Sequence, residues 1–124
     1  MKIEVSNGEI VDKLTIIEIK LSKIRDSTKL DNLQKEFEIL DAAVKKIISK
    51  DNSLYRELYD INLKLWDIED RIRELEKKKD FGEAFIGTAR AVYFTNDRRA
   101  ELKRMINQQT DSDLIEEKSY EDYS

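Results

Sequence analysis

The sequence predicts an all-α protein, an antiparallel four-helix bundle of two helical hairpins with a short acidic C-terminal helix or tail. Three observations carry this expectation. Glu, Lys, Leu and Ile recur at spacings of three and four, 40% of residues are charged, and the 124 residues include three glycines and no proline. The connections are short, which sets neighbouring helices antiparallel. The length suits a single domain with a modest core.

Each element has its own justification. Ser6-Asn7-Gly8-Glu9 reads as a capping box, serine covering an early N–H and Glu9 reaching back. The first helix then carries the stripe Ile10, Leu14, Ile17, Leu21, Ile24. Arg25-Asp26-Ser27-Thr28 interrupts it, and a second helix follows with Leu30, Leu33, Phe37, Leu40, Val44 and Ile47, ending near Lys50. Asp51-Asn52-Ser53 is a turn and cap. The third helix has the most regular pattern, with Leu54, Leu58, Ile61, Leu65, Ile68, Ile72 and Leu75 in unbroken heptad spacing. Lys77-Lys78-Lys79 suits the negative pole at its end. Asp80-Phe81-Gly82-Glu83 reads as a second capping box, opening a fourth helix to about Gln109. Thr110 to Ser112 breaks that helix, and a short last one is expected over Asp113 to Ser119. The bundle thus covers residues 1–110 and an acidic segment covers 111–124.

Composition narrows the chemistry. With no cysteine and no histidine, disulfides, zinc sites, thiol nucleophiles and imidazole catalysis are excluded. No cofactor is required; a metal, if held, would sit among oxygen ligands, which favours Mg²⁺, Mn²⁺ or Ca²⁺. No stretch approaches the ~20 apolar residues of a membrane span and no signal core opens the chain, so a soluble cytoplasmic protein is expected. The net charge is −4, but the last fourteen residues hold six acids and one lysine, leaving the body at +1. Nucleic-acid binding is not expected, since only Arg98, Arg99, Lys103 and Arg104 offer a local basic stretch.

The fourth helix is the most informative element. Its 4/3 stripe runs Phe85, Ala89, Val92, Asn96, Arg99, Lys103, Ile106, so three polar groups fall on a face that should turn inward. Such groups need partners or water, which marks a site. The ligand-binding candidates are Asp12, Lys13 and Glu18 on the first helix and Glu69, Asp70 and Arg73 on the third. The fourth adds Arg90, Tyr93, Asn96, Asp97, Arg99 and Lys103. The same set could equally be ion pairs fixing helix register. Between Arg90 and Arg104 this helix carries +3, so Glu116, Glu117 and Tyr120 of the acidic end are expected to fold back on it. A second stripe on the third helix, including Tyr55, Tyr59 and Trp66, either covers the core or serves as a homodimer face.

Blocks of this chain also resemble a known family. They are Gly8-Glu9-Ile10-Val11-Asp12-Lys13-Leu14-Thr15-Ile16 then Glu18-Ile19-Lys20, Leu65-Trp66 with Ile68-Glu69-Asp70 and Ile72-Arg73, Phe85-Ile86 with Ala89-Arg90 and Val92-Tyr93, Asn96-Asp97, Arg99-Ala100, Lys103-Arg104, Ile106-Asn107, and Glu116-Glu117-Lys118-Ser119-Tyr120. The family is an uncharacterised domain of unknown function among small bacterial and phage proteins. The resemblance implies an intact domain and supplies no activity.

Two functions are expected. One is a binding or assembly module with a charge-lined pocket between helices one, three and four, taking an anionic small ligand. The other is a metal-dependent hydrolase of nucleotides or sugar phosphates, with Glu18, Glu69, Asp70 and Asp97 on Mg²⁺ or Mn²⁺ and Arg99 and Lys103 on phosphate. The chain lacks the Glu-x-x-Glu signature of helical pyrophosphohydrolases, so the enzyme reading rests on architecture alone.

Overall fold

The computed structural model describes residues 1–117, and they form the expected all-α bundle: α1 (Asn7–Lys23), α2 (Ser27–Lys45), α3 (Ser53–Lys77) and α4 (Glu83–Gln109). Three starts are capped by side chains: Ser6 accepts from the Glu9 N–H, Asp26 from Lys29 and Asn52 from Leu54. Glu9 does not close the first capping box, because Lys103 of α4 takes its carboxylate at 2.6 Å. The second box does not form: Gly82 is the cap, and Asp80 accepts from the Gly82 N–H instead. Helices α3 and α4 both end in Schellman turns, with Lys79 (φ 56°) and Asp111 (φ 53°) left-handed without glycine. The closing bonds are Asp80 N–H to Leu75 O and Ser112 N–H to Asn107 O, each 2.9 Å.

The hairpins α1/α2 and α3/α4 pack together through α1, which touches all three other helices, while the α2 backbone comes close to α1 alone. This central place explains why Val11, Leu14, Ile17 and Ile19 are all buried although they do not share one face. With Val44, Ile48, Leu54, Tyr55, Leu58, Leu102 and Ile106 they form most of the core. Each fully buried aliphatic side chain contributes about 1.5–3 kcal/mol.

Helix α1 crosses the long hairpin near its base. Asn52 donates to Gln109 at 3.0 Å, so the start of α3 and the end of α4 lie together. The first turn of α1 meets Asn107 and Lys103 near that end, and Glu18, which pairs with Lys50, meets Tyr55 near it too. Beyond the crossing, α3 and α4 continue as a two-helix arm to the turn at Lys79, where Phe81 and Phe85 pack edge to face at 5.3 Å.

Three further expectations need correction. Helix α2 stops at Lys45 rather than near Lys50, because Lys46 to Asn52 turn the chain into α3. Residues 113–117 form no helix; Lys118 and Ser119 lie outside the described residues. The polar stripe of α4 does not turn inward throughout. The buried positions of the helix are Thr95, Leu102, Ile106 and Asn107, of which only Ile106 lies on that stripe, while Asn96 is exposed because α1 crosses without covering it. No described helix is long and apolar enough to cross a membrane.

Candidate functional site

The polar candidates separate into a locked half and an open half. The lock is built around Asp12, whose carboxylate is 1% exposed in the middle of α1. A buried charge is tolerated only with full hydrogen bonding, and the neighbours supply it. Arg99 donates through Nε to Oδ1 (2.9 Å) and through an Nη to Oδ2 (2.6 Å), a forked pairing that fixes the guanidinium plane. Asn62 of α3 donates to the same Oδ1 at 2.9 Å and to Thr15 Oγ1 at 2.8 Å, while Thr15 donates to the Asp12 carbonyl at 2.7 Å. One carboxylate therefore joins three helices. Its hydrogen bonds raise the Arg99 pKa further above an already high ordinary value, against the opposing effect of burial.

The lock continues along α1. Lys103 pairs with Glu9 at 2.6 Å and stands 4.0 Å from Asp12. Asn107, 1% exposed, accepts from the Gly8 N–H at 2.6 Å. A Cβ at Gly8 would lie 2.4 Å from the Lys103 carbonyl oxygen, so only glycine permits this approach of α1 to α4. The segment after α4 also returns here: Ser6 donates to Glu116, and Arg104 pairs with Glu117. Tyr120 lies outside the described residues.

The open half is a cleft of about 640 Å³ between α1, α3 and α4, within the ~300–1,000 Å³ typical of small-molecule sites. Ile16, Ile19, Leu65 and Trp66 give its apolar wall; Asn62, Glu69, Asp70, Arg73, Asn96 and Arg99 give its polar one. Glu69 and Arg73 pair loosely at 3.5 Å and both are exposed. Asn62, 5% exposed, spends both amide hydrogens inward, and its carboxamide oxygen accepts no bond among the described residues.

The remaining candidates lie elsewhere. Lys13 is exposed. Glu18 accepts from the Tyr55 hydroxyl and pairs with Lys50 at 3.3 Å. Burial, then Glu18, push the Tyr55 phenol well above its ordinary pKa. Arg90 sits over the Phe94 ring at 5.7 Å beside Tyr93, and Asp97 lines a separate surface hollow with Arg104, Glu116 and Glu117. The expected metal quartet is thus dispersed, and no group of three acids among the described residues is placed to hold a cation. Tyr55 is 4% exposed and belongs to the core, so it offers no self-association face; Tyr59 and Trp66 are partly buried.

Sequence reasoning missed Thr15, Asn107 and the steric role of Gly8. Asn62 was visible as an amide within the second, otherwise largely aromatic start of a stripe on α3, a position where an unpartnered polar group would be costly. Nothing local distinguishes Asn107 from its neighbours Gln108 and Gln109.

Fold and site together define a small all-helical domain knit around one buried acid. The chain belongs to a family of unknown function (DUF6165), whose model matches residues 1–123. No curated protein and no solved structure matches the chain.

Proposed function

We propose that this protein is a non-catalytic binding module whose ligand occupies the cleft between α1, α3 and α4. One observation carries the reading: polar groups of the lock are spent on one another, whereas those around the cleft keep hydrogen-bonding capacity beside an apolar wall. Asn62 joins the two halves, its donors holding the lock and its acceptor left over. The dispersal of Glu18, Glu69, Asp70 and Asp97 gives the hydrolase reading no comparable support.

Amide chemical-shift mapping of the full chain against a small-fragment library tests the proposal. Shifts gathering at Ile16, Ile19, Asn62, Trp66 and Asn96 are expected; shifts scattered elsewhere, or none, would remove it. A second reading, self-association, draws support from the arm, where Phe81 and Ile86 are each 55% exposed on a two-helix segment. Light scattering over a concentration series is its test: a dimer is expected, and a monomer throughout refutes it.

A further inference from the structure

We infer that the ligand of this cleft is a neutral saccharide, a pyranose ring laid on Trp66 with its hydroxyls met by Asp70, Asn96, Asn62 and Arg73. The inference rests on the cleft being the binding site and adds the chemistry of its occupant. A pyranose presents an apolar face of C–H bonds and a rim of hydroxyls that each donate and accept. The cleft has the complementary layout: Trp66, Leu65, Ile16 and Ile19 supply apolar contact, and the polar side chains stand around them.

The polar groups are of one kind. Glu69, Asp70, Asn62, Asn96, Arg73 and Arg99 all end in planar, two-pronged groups, the form that engages a pair of adjacent hydroxyls. Among the described residues the cleft lining includes no lysine, serine or threonine. Charge points away from an anion. Arg99 is committed to buried Asp12, which leaves Glu69 and Asp70 against Arg73 alone. A phosphate or carboxylate would meet a surplus of negative charge, whereas a neutral polyol meets acceptors and donors together.

Asn62 adds preorganisation. Its amide hydrogens are held by Asp12 and Thr15, so its oxygen keeps a fixed direction and needs no ordering when a hydroxyl donates to it. A flat nucleobase would also stack on Trp66, but its polar atoms lie along limited edges. The cleft instead draws polar groups from two helices around the apolar wall.

Trp66 is the sole tryptophan, so intrinsic emission reports directly on this wall. The full chain is titrated with glucose, galactose, mannose, N-acetylglucosamine, maltose and cellobiose, with adenosine and inorganic phosphate as comparators. Saturation-transfer NMR is recorded on each mixture. At least one sugar should give a saturable emission change in the millimolar range, with transfer to its ring C–H protons. Asp70→Ala should weaken it about tenfold, the loss of one charge-assisted bond, with the melting temperature unchanged. Trp66→Phe should weaken it too, read by NMR. No saturable response to any sugar overturns the inference. If adenosine or phosphate binds in the cleft while sugars do not, the saccharide is wrong and the binding site stands. If fragment mapping also leaves the cleft unperturbed, both fall.

Discussion

Two glycine substitutions of identical chemistry should move stability in opposite directions. Gly8 and Gly87 both lie in helices, where alanine is intrinsically favoured by about 1 kcal/mol. At Gly87 an added Cβ meets nothing within 4 Å, so Gly87→Ala should gain most of that amount. At Gly8 the Cβ would lie 2.4 Å from the Lys103 carbonyl oxygen and 2.9 Å from Asn107 Oδ1, atoms of helix backbone and of a buried amide. Relief requires α1 to move off α4, which costs ~1–3 kcal/mol for overpacking and about 1 more for the weakened Gly8–Asn107 bond. After subtracting the helix gain, Gly8→Ala should lose about 1–3 kcal/mol. For a domain of this size each kcal/mol corresponds to roughly 4 °C, so the two variants should melt on either side of the parent. Calorimetry or circular dichroism reads both. A Gly8→Ala protein as stable as Gly87→Ala would refute the close approach of α1 to α4.

Two further predictions follow from the buried polar groups. Asn107→Ala should cost about 1–3 kcal/mol in urea melts, because it strips the Gly8 N–H of its acceptor in a buried place; an effect under 0.5 kcal/mol would contradict that bond. Tyr55 has a raised folded-state pKa, so its share of stability is complete below the unfolded value near 10 and is lost as pH climbs beyond it. Tyr55→Phe should lower stability by about 1–2 kcal/mol at pH 7 through loss of the bond to Glu18. It should also flatten the decline above pH 10, and an unchanged alkaline slope would argue against a buried phenol.

The helices themselves were legible in the chain. Heptad spacing from Leu54 to Leu75 and the caps at Ser6 and Asn52 reappear in the structure because they are local features. The absence of glycine did not hide the turns at Lys79 and Asp111, although left-handed lysine and aspartate there gave no sequence warning. The crossing of α1 was not legible, and it decides the rest. Periodicity places Asn96, Arg99 and Lys103 on one stripe but cannot say where a partner helix ends its cover. Hence Arg99 and Lys103 found acids on α1, whereas Asn96 was left at the rim of the cleft. Tyr55 and Trp66 shared a stripe for the same reason, yet one is in the core and the other on the cleft wall.

The division between lock and cleft is tested most directly by urea melts of Asp12→Ala and Asp70→Ala, measured side by side. Asp12→Ala orphans Arg99 and the inward amide of Asn62, and should lose about 3 kcal/mol, the lower end for breaking a buried pair because Arg99 still reaches water. Asp70→Ala, at an exposed position on the cleft, should stay within about 0.5 kcal/mol of the parent. Equal losses, or a neutral Asp12→Ala, would contradict the account.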